Sequence, residues 1–367
     1  MKFMFAAGDI GGARALLPVA SLAATLGHTV AGLAHGTLRH EGSSDWLWYE
    51  QADACLQAAS SDGVIYATSV ADQAALEVAK AARSAGKPCL HLLDNWSSYL
   101  ERIQALIPDA YAVMDNLALA EAKAAGVPSR ILHITGHPDL AKLAEEKMRL
   151  RKPQETQSLL FVSEPAARDG GVSKRGYDEN IVTLRLVEAL ASVASSGINL
   201  RVVPHPREDR NAVKSRLEAA CANLNGAPDW SIVAAQDVRS ALHRASHVAG
   251  MSSILLYEAW LLGRPTLSLQ PGLKKGILRS LSHRQDLIFH DKKVDIEASV
   301  IRWLERHSGA NTLELATHQT AASSVLCLAE KMVSNHAHCP PTASALPETR
   351  HADSTRQPLK QESGNAS

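Results

Sequence analysis

The chain has 367 residues, of which 46% are hydrophobic and 21% are charged, and its formal net charge is zero. That length is too great for one ordinary core and suits two domains of about 150 residues each with some additional segments. A general nucleic-acid-binding protein normally carries a basic excess, so the charge balance argues against that class of protein. We therefore predict a globular protein with two domains, in which a local basic pocket is still allowed.

The five cysteines are dispersed and form no Cys-x-x-Cys pair. Such a set is typical of reduced cytosolic thiols rather than of a disulfide framework or a zinc site. The first apolar run is interrupted too early for a signal peptide, and no run reaches the roughly 18 residues of a spanning helix. We expect a cytoplasmic protein and leave open a peripheral position at the inner face of the membrane. The histidines lack metal-ligand spacing, so no metal site is expected.

The first half of the chain alternates short apolar strands with helices. An apolar run over residues 3–7 leads into a glycine-rich turn, a helix over 13–26 and a second strand over 28–33. This order opens a doubly wound parallel sheet. The remaining predicted elements of this half are strands at 64–67, 89–93, 108–114 and 131–135, with helices at 71–84, 117–125 and 139–150.

The second half repeats this plan after a polar stretch over 151–157, which we predict to be a linker. Its predicted strands lie at 159–162, 198–203, 230–233, around 248, at 266–270 and at 287–289. Its predicted helices cover 178–195, 238–244, 252–262, 296–306 and 314–332, and one further helix follows the strand over 198–203 and ends near 224. From 335 to 367 almost no apolar residues remain, which predicts a disordered tail. The domains are therefore expected at 1–150 and 158–334. Ligands of such sheets bind beyond the carboxyl ends of the strands, so a cleft should form between the two edges.

The turn after the first strand reads Gly8-Asp9-Ile10-Gly11-Gly12, which is not the Gly-x-Gly-x-x-Gly fingerprint of dinucleotide sites. We therefore expect no resident cofactor. Gly11 and Gly12 would let the backbone approach a phosphate of the ligand, and Asp9 is a candidate base. A plain tight turn explains Asp9 equally well.

Asp94 begins a polar stretch directly after the strand over 89–93. Strand ends this polar usually line a site. We interpret Asp94 as the carboxylate that takes a proton from an acceptor hydroxyl. The alternative is an N-cap for a helix over 96–106, and the two roles are compatible.

His205 lies between Pro204 and Pro206 after an apolar run, so its ring is held in one direction. It is predicted to contact phosphate as a catalytic and donor-binding residue, with Arg207 adding charge. A second junction, Gly250-Met251-Ser252-Ser253, places two serines at the start of a helix, where N–H groups attract phosphate. Other candidate donor ligands end or follow strands or lie on that helix, namely Ser163, Glu164, Glu258 and Gln270. Glu258 would reach a ribose diol, or would be a plain helix acid.

These motifs occur in the order His205-Pro206, Gly250-x-Ser252-Ser253, Tyr257-Glu258-Ala259 and Leu262-Gly263-Arg264-Pro265. This order resembles the C-terminal half of GT-B fold glycosyltransferases, over about residues 158–290. The His-Pro pair followed by Ser-Ser is similar to bacterial sialyltransferases, Kdo transferases and polyglycerol-phosphate polymerases. The resemblance implies two Rossmann-like domains, with His205 and the serines at the donor phosphates and Glu258 at the ribose. The acidic motif of the cytidine-using families and the signature of non-hydrolysing sugar 2-epimerases are both missing.

We therefore expect a metal-independent glycosyltransferase that moves a sugar from a UDP-, CDP- or CMP-type donor to an unknown acceptor. The acceptor would be a glycan, a lipid-linked group or a small molecule, and the nucleotide-sugar would be a co-substrate. Alternatives are a nucleotide-sugar epimerase or hydrolase on the same fold, which would need no acceptor, and a non-catalytic nucleotide-binding protein. A homodimer is left open.

Overall fold

The computed structural model describes residues 1–68, 72–149, 158–193, 198–274, 276–307 and 312–338. The predicted linker over 151–157 and the tail beyond 338 lie outside the described residues, and both remain predictions. Within the described ranges the chain forms two parallel sheets, of seven and six strands, with helices packed on them. None of the helices in these ranges is both long and apolar enough to cross a membrane.

The first sheet is built from residues 2–134. Its strands are β1 (Lys2–Ala6), β2 (Thr29–Leu33), β3 (Leu47–Tyr49), β4 (Gly63–Tyr66), β5 (Cys89–Leu92), β6 (Ala110–Val113) and β7 (Leu132–Ile134). Its helices are α1 (Ile10–Thr25), α2 (Gly36–Glu41), α3 (Gln51–Ser60), α4 (Gln73–Ser84), α5 (Asn116–Ala124) and α6 (Lys142–Arg149). The strand order is β3-β2-β1-β4-β5-β6-β7. Because this order reverses between β1 and β4, the loops after these strands diverge and leave a crevice at the carboxyl edge.

The second sheet follows the same plan. Its strands are β8 (Ser158–Val162), β9 (Asn199–Val203), β10 (Asp229–Ile232), β11 (His247–Gly250), β12 (Thr266–Leu269) and β13 (Ile288–His290). The helices that follow α6 are α7 (Gly171–Lys174), α8 (Glu179–Val193), α9 (Arg210–Cys221), α10 (Val238–Arg244), α11 (Ile254–Leu261), α12 (Ile296–Leu304), α13 (Thr312–Gln319) and α14 (Ala321–His338). The order β10-β9-β8-β11-β12-β13 reverses between β8 and β11. The reversal point therefore lies beside the loops that begin at 163 and 251.

The central strands are buried on both faces, which explains their continuous apolar runs. In β1, Phe3 and Phe5 pack toward α1, whereas Met4 packs toward α3 and α4 on the opposite face. All three side chains are fully buried. Helices on both faces of a parallel sheet give the layered α/β architecture that the alternation of elements predicts.

The first half contains elements that sequence analysis missed, the strand β3 and the helices α2 and α3, and it lacks one helix that was predicted. The segment β3 is an edge strand paired with β2, and sequence analysis missed it because three residues are too few to show a periodicity. The helix proposed over 96–106 does not form, and only a short 3-10 turn is present at Glu101–Ile103. Ser98 has a φ of 57°, a left-handed conformation that interrupts a helix.

The end of the described chain also departs from the predicted division into domains. The helix expected over 314–332 is divided into α13 and α14, and α14 continues to His338, past the predicted start of the tail. Val325, Leu326 and Ala329 pack into the core of the first sheet, together with Phe3 and Phe5. The predicted boundary at 334 placed this helix with the second half by chain position alone, whereas its apolar stripe covers the first.

Candidate active site

A cleft of about 680 Å³ lies between the carboxyl edges of the two sheets. The loops after β1, β5 and β7 contribute to one wall, and those after β8, β9 and β11 to the other. Nine of the predicted site residues line the cleft together: Asp9, Gly11, Asp94, Glu164, His205, Arg207, Ser252, Ser253 and Glu258. The two junctions of the second half, at His205 and at Ser252–Ser253, therefore lie on the same wall of one cleft.

Gly12 and Gly250 serve packing instead of lining the cleft as predicted. A Cβ atom on Gly12 would lie 2.9 Å from the carbonyl oxygen of Ala67, and one on Gly250 would lie 2.8 Å from that of Val162. Each glycine therefore lets one piece of backbone approach another within the protein.

Ser163 and Gln270 are buried in hydrogen-bond networks behind the cleft wall. The Ser163 hydroxyl donates to Glu208 Oε1 at 2.9 Å and accepts from Arg216 Nη2 at 2.7 Å. The Gln270 amide donates to the Met251 carbonyl at 3.0 Å. These two side chains hold the loops that form the wall, and the donor contacts predicted for them are not geometrically available in this arrangement.

On the wall formed by the first half, Asp9 and Gly11 shape the start of α1. Asp9 caps the helix, since its Oδ1 accepts a hydrogen bond from the Gly12 N–H at 2.9 Å. A Cβ atom on Gly11 would lie 2.5 Å from Asp94 Oδ2. Gly11 thus permits a carboxylate of the protein, rather than a ligand phosphate, to come close to the helix start.

Asp94 forms a buried ion pair at the cleft surface. Its Oδ1 lies 2.5 Å from Arg102 Nη1, and Asp94 and Arg102 are 9% and 8% exposed. Arg102 also donates to the carbonyls of Ser97 at 3.0 Å and Thr68 at 2.6 Å. The predicted N-cap role is wrong, because the helix it required is absent and the carboxylate pairs with Arg102. No feature of the sequence pattern indicates that Arg102 is the partner of Asp94.

His205 is held so that one ring nitrogen acts as a donor. Its Nδ1 accepts the backbone N–H of Arg207 at 3.0 Å, and its own backbone N–H donates to Glu208 Oε2 at 2.8 Å. The proton of the neutral ring is therefore assigned to Nε2. Burial, reinforced by the charge of Arg207, lowers the pKa of His205. A neutral ring with an Nε2–H suits hydrogen bonding to an oxyanion better than it suits general-base chemistry at that nitrogen.

Two arginines flank an acid beside His205. Arg207 contacts both carboxylate oxygens of Asp169 at 3.2 Å, and Arg175 Nη2 contacts the same group at 2.7 Å. The Nε and Nη1 groups of Arg175 are buried without a hydrogen bond. Sequence analysis missed Arg175, because nothing in the pattern distinguishes it from the neighbouring Lys174.

Glu164 occupies the position at the start of α11 where sequence analysis predicted a phosphate. Its carboxylate accepts the Ser252 N–H at 2.6 Å and the Ser252 hydroxyl at 2.7 Å, directly at the start of α11. Burial raises the pKa of Glu164. Ser253 caps the helix, accepting the Leu255 N–H at 3.3 Å. A carboxylate of the chain itself thus stands where an anionic ligand would be stabilised by the helix terminus.

We expect the Glu164→Gln variant to bind inorganic pyrophosphate more tightly than the parent, by roughly fivefold or more at low salt, because a repelling charge is removed from the cleft. Isothermal titration at two ionic strengths measures the effect. Glu179→Gln is the matched control, since the Glu179 carboxylate also accepts a backbone N–H, that of Ala167 at 2.7 Å, outside the cleft. Equal or weaker affinity in Glu164→Gln would show that the carboxylate does not compete with anions.

Glu258 lies farther along α11 and is 6% exposed. Arg239 forms an ion pair with it and also bonds to Glu146 at 2.9 Å. Burial raises the pKa of Glu258, and the charge of Arg239 opposes that change. Glu258 lines the cleft, where a ligand ribose can approach it. The predicted contact with a ribose stays a prediction. Among the described residues, no three His, Cys, Asp or Glu side chains are grouped so as to hold a metal ion.

The cleft therefore presents different chemistry on its two walls. The first half supplies the carboxylate of Asp94, and the second supplies the N–H groups of His205 and Arg175. A carboxylate opposite hydrogen-bond donors is an arrangement in which the one can accept a proton while the others stabilise an anionic leaving group. Two doubly wound sheets with opposed carboxyl edges define the GT-B fold, so the predicted fold class is confirmed.

Solved structures of this fold resemble the chain over most of its length. The UDP-GlcNAc 2-epimerase from Methanocaldococcus jannaschii matches with a TM-score of 0.61 and 12% identity, covering 90% of this chain and 100% of that one. The UDP-GlcNAc 2-epimerase from Neisseria meningitidis bound to UDP-GlcNAc matches with a TM-score of 0.56 and 11% identity, covering 92% and 100%.

The HepE protein of Anabaena in complex with UDP-glucose matches with a TM-score of 0.54 and 14% identity, covering 92% of this chain and 98% of that one. No protein-family model matches the chain, and no curated protein is significantly similar to it in sequence. At identities this low, the structural similarity shows a shared fold alone.

Proposed function

We propose that the protein binds a nucleotide-sugar in the cleft and acts on the sugar without a separate acceptor, as an epimerase or hydrolase of nucleotide-sugars. The observation that carries this proposal is the opposition of Asp94 to His205 and Arg175 across a single cleft of about 680 Å³. The named structures of the same fold, two UDP-GlcNAc 2-epimerases and a protein holding UDP-glucose, support a nucleotide-sugar as the ligand. They favour this reaction class over the transferase that the sequence motifs suggested.

In this proposal the nucleotide lies against the second half. His205 Nε2–H and the guanidinium groups of Arg175 and Arg207 stabilise negative charge on the phosphates as the bond to the sugar breaks. The sugar lies toward the first half, where the carboxylate of Asp94 accepts a proton. In a hydrolase the proton comes from a water molecule, whose oxygen bonds to the anomeric carbon as the nucleotide leaves. In an epimerase it comes from the sugar carbon next to the anomeric carbon, whose C–H electrons form a double bond as the nucleotide leaves, and return of the proton to the other face with the nucleotide completes the reaction. Glu164 limits the phosphate charge that the α11 terminus can hold.

A glycosyltransferase is the second candidate, favoured by the order of the His-Pro and Ser-Ser motifs. It uses the same donor wall and adds an acceptor hydroxyl beside Asp94. The two candidates differ in one requirement, because only the transferase needs an acceptor to consume the donor.

Incubation of the purified protein with UDP-GlcNAc, UDP-glucose, a GDP-sugar or a CMP-sugar, each alone, separates these candidates. We expect one UDP-sugar to be converted without acceptor, with the products resolved by ion-pair chromatography and proton NMR. Binding without conversion, followed by conversion once acceptors are added, would favour the transferase. If no nucleotide raises the unfolding temperature, the protein is a non-catalytic scaffold, because a ligand that binds the folded state must stabilise it.

In the same assay His205→Ala should lower turnover by about 10²–10³-fold, as expected for the loss of one donor to a developing oxyanion. Its thermal unfolding should change little, because the His205 ring is only half-buried. His205→Gln keeps a side-chain N–H and should recover part of the rate. Equal rates in all three proteins would remove His205 from the mechanism.

A further inference from the structure

The loop after β7 carries a second His-Pro pair, His137-Pro138, to which sequence analysis assigned no role. His137 lines the cleft on the wall of the first half and is 2% exposed. It directly follows Gly136, whose φ of 80° turns the chain at the end of the strand. The strand-end histidines of the two halves, His137 and His205, therefore line the same cleft.

Two hydrogen bonds fix the His137 residue. Its backbone N–H donates to His318 Nδ1 at 3.0 Å, and its ring Nε2 lies 3.2 Å from the backbone carbonyl oxygen of Asp94. A carbonyl oxygen only accepts, so Nε2 carries the proton and Nδ1 presents a lone pair. That Nδ1 atom is buried and has no hydrogen-bond partner.

Two other buried histidines, His290 and His247, have both ring nitrogens hydrogen-bonded, whereas the core histidine His91 has, like His137, an Nδ1 atom without a partner. In His290, Nε2 contacts the Lys292 carbonyl at 2.7 Å and Nδ1 contacts the Ser299 hydroxyl at 2.9 Å. In His247, Nε2 contacts the Arg306 carbonyl at 3.2 Å and Nδ1 contacts the Ser246 hydroxyl at 3.1 Å. Each ring gives Nε2–H to a carbonyl and Nδ1 to a hydroxyl. His137 repeats the first contact and lacks the hydroxyl.

We infer that His137 Nδ1 accepts a hydrogen bond from a hydroxyl of the glycosyl group bound in the cleft. A phosphate oxygen does not serve this position, because an ionised phosphate is an acceptor and so is the bare nitrogen. A buried acceptor left without a donor costs free energy, which a ligand hydroxyl recovers. The inference rests on the proposed nucleotide-sugar function and assigns the sugar end of that ligand to the wall of the first half.

The surroundings of the ring keep it neutral, as an acceptor requires. Burial lowers the pKa of His137, while the charges of Asp139 and Asp94 oppose that change and Lys142 adds to it. His318, which contacts the His137 backbone, is also kept neutral, since burial lowers its pKa to about 3. The lone pair on Nδ1 is therefore present at neutral pH.

The test compares dissociation constants for UDP and for UDP-GlcNAc, measured in the cold before turnover, in the parent and in three variants. His137→Gln keeps a donor for the Asp94 carbonyl but places no acceptor at Nδ1. In this variant the dissociation constant for UDP-GlcNAc should rise about tenfold, while that for UDP stays within about twofold of the parent value. His137→Asn places an amide oxygen near Nδ1 and should restore part of the gain. His290→Gln removes a buried ring that does not line the cleft and should change neither constant.

The outcomes separate the inference from the function on which it rests. An unchanged affinity ratio in His137→Gln, with UDP still bound, would overturn the role of His137 alone. Failure of the parent to bind either compound would overturn the proposed function and the ligand assigned here together. Equal losses for UDP and UDP-GlcNAc would show that His137 supports the cleft as a whole, which also contradicts a sugar-specific contact.

Discussion

Replacing Asp94 by asparagine is expected to lower turnover by about 10²–10⁴-fold, the usual contribution of a positioned general base. The same change should destabilise the fold, because Arg102 would keep its charge in a buried position with only backbone carbonyls as partners. Breaking one side of a buried pair typically costs about 3–5 kcal/mol. Turnover of the saturated enzyme and urea unfolding measure the two effects separately.

A second substitution separates these two causes of lost activity. In the double variant Asp94→Asn/Arg102→Met no charge is left unpaired, so much of the lost stability should return. If Asp94 supplies chemistry, turnover stays low in the double variant. If turnover recovers together with stability, Asp94 is a structural residue, and Asp9 becomes the remaining candidate base among those predicted from sequence.

Replacing Asp115 by asparagine should destabilise the fold about as much as replacing Asp94 does. One oxygen of Asp115 accepts the Ala118 N–H at 2.7 Å and caps α5. The other accepts from Arg284 Nη1 at 2.8 Å and from the Tyr257 hydroxyl at 3.1 Å, both of which belong to the second half. Asparagine keeps the cap but removes the charge that compensates Arg284. We expect a loss of about 3–5 kcal/mol in the free energy of unfolding, measured by urea denaturation.

An exposed pair provides the control for this experiment. Glu77 and Lys80 lie one turn apart on α4, with side chains 53% and 40% exposed and 3.0 Å between their charged atoms. Glu77→Gln should cost less than about 1 kcal/mol, because water screens such pairs. A shift in Asp115→Asn no larger than in Glu77→Gln would mean that this contact contributes little to joining the halves.

The fold could be read from sequence to a large extent because its signals are local. The apolar run of β1, the glycine turn at Gly8 and the helix α1 succeed one another within 25 residues. Helix α10 lies at the residues predicted for it, 238–244. Central strands such as β1 are buried on both faces, so a continuous apolar composition is enough to predict them. The short edge strand β3 lacked that signal and was missed.

The candidate site was only partly predictable for a different reason. Asp94, His205 and Ser252 were predicted at the correct edge of their sheets because each is a polar residue that closely follows a strand. Neither feature reveals which side chain from a distant segment approaches them. Glu164 and Ser252 are 88 residues apart, and their contact turns a predicted phosphate site into one already holding a carboxylate.

By itself the sequence determined the two doubly wound halves and the strand ends that carry polar residues, because periodicity and turn chemistry act over a few neighbouring residues. Only the tertiary structure decided that α14 returns to the first sheet, that Asp94 is paired with Arg102, and that one ring nitrogen of His137 is buried without a hydrogen-bond partner. These outcomes depend on which surfaces meet when the halves pack. Charge pairing and hydrogen-bond satisfaction are settled by contacts between segments that lie far apart along the chain.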